Sequence, residues 1–202
     1  MKNNKIVHDA LVLAAFSLVL GFVLGGVYQI TKPAIELANK KKEQVAFFTV
    51  FEDAHIFEAV EYNKEGANEA MTAAGYKDTI DDVQAATDKD GKVIGYVVTV
   101  TAKDGSQGPI TLTVGVRNDG TVNGYSILAH SESPGLGDKA VKEEFMSQFR
   151  NKKVDEFIVV KTTPAADNEI ESIAGSTITS KAVANACNAA IVYVKSLVGG
   201  DQ

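Results

Sequence analysis

Glu171-Ser172-Ile173-Ala174-Gly175-Ser176-Thr177-Ile178-Thr179-Ser180-Lys181-Ala182-Val183 begins as a small, hydroxyl-rich loop and turns into a helix. From Ile178 the apolar positions run Ile178, Ala182, Val183, Ala186, Cys187, Ala190, Ile191, Val194, a helical spacing with one buried stripe. Ser176 or Thr177 is the natural N-cap, because a hydroxyl there accepts from an amide of the first turn that has no other partner. A capped, core-facing C-terminal helix accounts for that much. The density of hydroxyls asks for more: Ser176, Thr177, Thr179 and Ser180 crowd one helix start behind Gly175. Unpaired N–H groups and a partial positive charge suit such a position to a phosphate.

Outward from this helix, the middle of the chain reads as an antiparallel meander. Asp90-Gly91-Lys92-Val93-Ile94-Gly95-Tyr96 is echoed 29 residues later by Asp119-Gly120-Thr121-Val122-Asn123-Gly124-Tyr125. Each copy is a D-G turn feeding a strand, a hairpin signal. β-rich runs lie at 83–87, 93–101, 110–117 and 122–128, so hairpin-joined neighbours are the natural arrangement. The echo is either an old duplication or one turn solution used twice. Gly105-Ser106-Gln107-Gly108-Pro109 forms a flexible loop between two of these runs. Residues 61–80 read as loop and short helix.

Residues 10–30 carry no charge over 21 positions, about the length of a membrane-spanning helix. Lys2 and Lys5 precede the run as in a signal peptide. The run is long for that, however, and no small-x-small site closes it, so an uncleaved single-pass anchor is the reading. Gly21 and Gly25 form a G-x-x-x-G that permits close approach of another membrane helix. Thr31-Lys32-Pro33 breaks the pattern, and a separate charged helix is expected over 34–48 as a stalk. The domain plan is a tail at 1–9, the anchor at 10–30, a stalk and connector at 31–80, and a folded domain at 81–202. Lysines flank both ends of the anchor, two before it and Lys32, Lys40, Lys41 and Lys42 after it, which leans toward a cytoplasmic domain.

Composition sets the outer bounds. A hydrophobic content of 45% is enough for a core, and a single cysteine, Cys187, excludes an internal disulfide framework and any cysteine-ligated metal centre built by this chain alone. Net charge is −6 and no basic patch stands out, so nucleic acid is not an expected partner. No G-x-G-x-x-G follows a strand, so a dinucleotide fingerprint is not expected either.

The second informative stretch is His130-Ser131-Glu132-Ser133-Pro134-Gly135-Leu136-Gly137-Asp138-Lys139. Glycine and proline fix a loop at a strand end and a helix follows, which by itself describes an ordinary β-to-α connection. Its H-x-E-S-P-G-L-G pattern, together with Ala174-Gly175-Ser176-Thr177-Ile178-Thr179, resembles the paired signatures of a family of flavin-bearing electron-transport proteins. These are the RnfG component of the Rnf electron transport complex and the NqrC component of the sodium-translocating NADH:quinone reductase. The match runs in the family's order over nearly the whole chain. Ala174 stands where Ser is usual, Ser176 where Ala is usual, and Glu171 where Asp is frequent.

The resemblance implies an α+β protein: one N-terminal transmembrane helix, then an FMN-binding domain whose antiparallel meander is packed by helices. It implies FMN joined through its phosphate to Thr177, with Gly175, Ser176, Ile178 and Thr179 around the attachment. Glu132, Ser133, Gly135, Leu136 and Gly137 would border the ring or ribityl chain, and Lys161, at the end of a strand over 157–160, would face the flavin or its phosphate. The expected role is electron carriage between ferredoxin and NAD in an ion-translocating complex rather than a stand-alone enzyme. Expected partners are the integral membrane subunits, including a second flavin protein, and a separate flavin transferase using FAD. The flavin domain would face the extracytoplasmic side of the cell membrane, against the lean of the lysines. The quinone-reductase component is the alternative within the family, though its chains are longer. An anchored binding module without flavin, or a reductase holding FMN non-covalently, are alternatives of other classes.

Overall fold

The computed structural model describes residues 2–199, with side chains placed from Lys5 onward. The chain forms two units, Met1–Lys42 and Glu43–Gln202. The first consists of helix, part of α1 (Lys2–Val50), which continues into the second. Leu11, Phe16, Phe22, Leu24 and Ile30 all lie exposed along it. The break expected at Thr31-Lys32-Pro33 does not occur: the helix runs through Pro33. Proline removes one amide donor and crowds the preceding turn. In the turn before it, Thr31 Oγ1 donates to the carbonyls of Val27 at 2.9 Å and Tyr28 at 3.2 Å.

The second unit is an α+β domain built on a meander. Strands β1 (Ile56–Ala59), β2 (Thr79–Thr87), β3 (Val93–Ala102), β4 (Ile110–Arg117), β5 (Thr121–Ala129) and β6 (Lys152–Lys153) pair antiparallel in chain order. The four strands expected of the meander are β2 to β5. Both D-G turns join hairpins, and in each an aspartate holds the turn: Asp88 Oδ1 accepts from the Lys92 amide, and Asp119 Oδ1 from the Thr121 amide. A separate parallel pair, β7 (Ile158–Val160) with β8 (Glu169–Glu171), lies between the meander and the last helix in sequence. Helix α2 (Lys64–Ala73) is capped by Asn63, whose side chain accepts from the Gly66 amide; α3 (Glu143–Met146) is a single turn; α4 (Thr177–Gly199) ends the domain.

Both faces of the sheet centre are covered. Val97, Val98, Thr99 and Val100 are buried in succession rather than alternately, the pattern of a strand between two layers. On one face Val98, Val100, Leu112 and Val114 share a core with Ala182, Val183, Ala186, Cys187, Ala190, Ile191 and Val194 of α4. Helix α4 is apolar and long enough to cross a bilayer, but 61% of its most apolar window is buried in the domain, which makes it a core helix. On the other face Phe47, Val50, Phe51 and Ala54 pack with Ala86 and Val97.

This second contact needs a glycine. A Cβ on Gly115 would sit 2.6 Å from the Val50 carbonyl oxygen, closer than relaxed packing allows, and a tight 3.1 Å from Phe51 Cδ2. Arg117 roofs the seat, its guanidinium 5.5 Å from the Phe51 ring centre and 2.9 Å from Asp53 Oδ2. Gly115→Ala should therefore destabilise the domain by about 1–3 kcal/mol. Phe51→Ala should cost about 3–5 kcal/mol. Because both act on one contact, the double variant should lose less than their sum in denaturant unfolding of the full chain.

Burial, with the Asp104 charge adding to it, pushes the Asp78 carboxyl from 3.8 up to about 6. The folded state thus holds a proton that the unfolded state releases, so stability falls as pH rises through that interval. Wild type should lose stability relative to Asp78→Asn between pH ~4 and ~6, with a constant gap above, in thermal melts across pH.

Candidate functional site

The start of α4 sorts its hydroxyls by burial. Ser176 is the N-cap: its carbonyl accepts the first helical bond, from the Ser180 amide at 3.0 Å, and Thr177 is the first helical residue. Ser176 is 7% exposed, and Thr179 and Ser180 are fully buried. Ser180 Oγ accepts from the Ile173 amide at 2.9 Å and donates to the Ser176 carbonyl at 3.0 Å, so it closes the loop onto the helix. Thr179 Oγ1 donates to Glu132 Oε2 at 2.7 Å. Thr177 alone of the four is partly exposed.

Two turns of the same build meet here. In Ser133-Pro134-Gly135-Leu136 the Leu136 amide donates to the Ser133 carbonyl at 3.2 Å, with Gly135 at φ 78°. In Ile173-Ala174-Gly175-Ser176 the Ser176 amide donates to the Ile173 carbonyl at 2.9 Å, with Gly175 at φ 79°. A left-handed third residue is what a type II turn requires, and glycine takes it without strain. The turns touch: a Cβ on Gly175 would lie 3.3 Å from Leu136 Cδ2. Leu136 and Ile178 stay 46% and 59% exposed, leaving apolar surface beside a helix start.

Beneath the turns sits Glu132, 7% exposed. Its Oε2 takes the Thr179 hydroxyl and its Oε1 takes the Gln107 amide at 3.2 Å. Its own amide donates to His130 Nδ1 at 3.2 Å. Gly137 closes over this pair, since a Cβ there would fall 2.8 Å from Glu132 Cβ and 2.9 Å from Thr179 Oγ1. The loop continues into a short 3-10 turn held by the Tyr125 hydroxyl, which donates to the Ala140 carbonyl at 2.6 Å. Asn188 of α4 brackets Phe157, accepting from its amide and donating to its carbonyl, and so fixes the approach to β7.

The two motifs read from the sequence are thus brought together. Gly175, Ser176, Thr177, Ile178 and Thr179 form the helix start; Ser133, Gly135, Leu136 and Gly137 form the facing turn. Lys161 follows β7, where the Val160 carbonyl accepts the Ser172 amide, and it is exposed beside the acceptor loop. Glu132 is the exception: expected along the flavin, its carboxylate is turned into the domain. Gln107 and Ser180 were missed as organising residues. The glycines around Gln107 signalled a loop, but a backbone amide leaves no mark in sequence; Ser180 was visible only as one more hydroxyl. A cleft of about 260 Å³ runs along the loop, lined among others by Lys139, Lys142, Gln148, Glu171, Ser172 and Ala174.

The features suit a flavin phosphate: one accessible hydroxyl at the first residue of a helix, glycine turns that let backbone approach, and exposed apolar side chains for a ring. Comparison with known proteins gives the family and an FMN-binding segment. Residues 1–50 match the RnfG N-terminal region and residues 105–192 match the FMN-binding domain. The G subunit of the proton-translocating ferredoxin:NAD(+) oxidoreductase complex of Clostridium ljungdahlii is 36% identical over 180 residues, covering 89% of this chain and 86% of that one. The chain belongs to the RnfG family. Its counterpart in the Na(+)-translocating ferredoxin:NAD(+) oxidoreductase complex of Acetobacterium woodii is 33% identical over 190 residues, covering 93% and 90%. Among solved structures, Shewanella oneidensis NqrC aligns with TM-score 0.49 at 22% identity over 59% of each chain. RnfG-family membership and the FMN-binding match cover both halves of the site, since the matched segment runs from the Gly105 loop through most of α4.

Ser180→Ala removes the acceptor for a buried amide and should cost about 1–3 kcal/mol. Amide hydrogen exchange at Ile173 should accelerate in that variant while the meander stays protected.

Proposed function

We propose that this chain is a membrane-anchored electron carrier of an Rnf-type complex, with FMN joined through its phosphate to Thr177. The observation that carries the attachment is the sorting of hydroxyls: Ser176, Thr179 and Ser180 are closed off, whereas Thr177 is partly exposed at the first residue of a 23-residue helix. In the attachment, the Thr177 oxygen bonds to the flavin-side phosphorus of FAD. The pyrophosphate P–O bond breaks, AMP leaves with the electron pair, and the hydroxyl proton passes to the flavin transferase or water. Once bound, FMN supplies redox chemistry that accepts electrons in pairs or passes them singly.

The chain's own residues position and shelter. Amides of the first turn of α4 lack helical acceptors and favour an anionic group. Leu136 and Ile178 offer apolar surface to a ring, and Lys161 offers a cation nearby. The apolar stretch of α1, with a mean hydropathy of 2.5, supports anchoring in the cell membrane. The extracytoplasmic side for the folded domain is part of this proposal and follows the family resemblance, against the lean of the flanking lysines. Relatives are named as subunits of proton- or sodium-translocating ferredoxin:NAD(+) oxidoreductase complexes, which supports partner subunits; integral membrane subunits, including a second flavin protein, are the partners proposed.

Produced with its transferase and denatured, the chain should give a fluorescent band, with FMN on the peptide containing Thr177. Thr177→Ala should abolish the band while changing stability by no more than about 0.5 kcal/mol. A band that survives this substitution and vanishes in Ser176→Ala would relocate the attachment.

A further inference from the structure

Glu132 carries the proposal, because the site as described gives its carboxylate no role toward a ligand. The group is nearly closed from solvent, and among the described residues no lysine, arginine or histidine forms an ion pair with it. A buried carboxylate without a cation is retained only if hydrogen bonds and dipoles hold it. Here they come from three sources: the Thr179 hydroxyl in the first turn of α4, the Gln107 amide of the 105–109 loop, and the helix dipole itself. Gly137 lets the Pro-Gly-Leu-Gly turn lie directly on the Glu132–Thr179 pair.

We infer that Glu132 is a positioning residue for flavin attachment: its carboxylate clasps Thr179 and Gln107, fixing the turn that carries Leu136 against the helix start that carries Thr177. The inference rests on the attachment to Thr177 proposed above. Thr179 is two residues beyond Thr177, so the clasp sets the pitch of the same helical turn. Its function is geometric, not charge-based. Glu132→Gln keeps Oε1 for the Gln107 amide and presents an amide nitrogen to Thr179, whose hydroxyl rotates to accept.

The test is the rate of covalent FMN transfer to the full-length chain in detergent, with transferase and FAD, read by intact mass. Folded fraction is followed by circular dichroism, and exchange of the Gln107 amide is followed in the unlabelled chain. Glu132→Ala and Thr179→Val should each slow labelling roughly tenfold or more, as displacement of a reacting group does. Both should speed Gln107 exchange, and the double variant should be no slower than the worse single. Glu132→Gln and Thr179→Ser should stay within about twofold of wild type. Thr179→Val keeps the side-chain volume, so it decides the matter even where Glu132→Ala does not fold. Folded Thr179→Val labelled at the wild-type rate, or losses that multiply in the double variant, would overturn the positioning role alone. Wild type that stays unlabelled, or label retained in Thr177→Ala, would overturn the attachment reading and this role with it.

Discussion

The burial of α4 across the meander is the constraint on which the site depends. A helix start can hold a reactive hydroxyl at a fixed place only if the helix behind it cannot rotate or slide. Ala182, Ala184, Ala186, Ala189 and Ala190 give α4 a small-residue surface, which seats close to the sheet and loses little side-chain entropy on ordering. Ile191 and Val194 fill the remaining space, and Asn188 ties the helix to the backbone at Phe157. Thirteen α4 residues are buried, far more than a narrow stripe would provide, because α2, β7 and the short 3-10 turn also pack against it.

The same burial explains the turn chemistry on top. Tyr125 pins the 3-10 turn from below and joins Phe145, Phe149 and Phe157 in a chain of ring contacts, so the Pro-Gly-Leu-Gly turn rests on a rigid floor. Backbone conformations that need glycine, at Gly135 and Gly175, are therefore held between two fixed bodies.

The parts legible in the sequence were those with local causes. Hairpins at Asp88–Lys92 and Arg117–Thr121 follow from aspartate and glycine at set offsets, and α4 follows from its apolar spacing. Strands that depend on distant partners were not legible. Strand β1 is four mostly exposed residues that gain their structure only by pairing with β2, and β8 gains its by pairing in parallel with β7, itself expected over 157–160, across an eight-residue gap. Continuity of α1 through Pro33 was hidden because proline marks the amide it removes, while one lost bond does not decide the course of a long helix. The direction of Glu132 was hidden for a related reason. A glutamate beside a glycine-rich turn reads the same whether it faces outward or inward, and the amide that receives it belongs to a residue 25 positions earlier.

If FMN is joined to Thr177 as proposed, the concealment of Ser176, Thr179 and Ser180 bears on the order of events in maturation. An extended chain displays four neighbouring hydroxyls of similar reactivity, and a transferring agent acting on it would face a mixture of products. Folding first withdraws three of them. On the attachment proposed above, a homogeneous adduct would be the outcome of sequence in time, with folding preceding transfer.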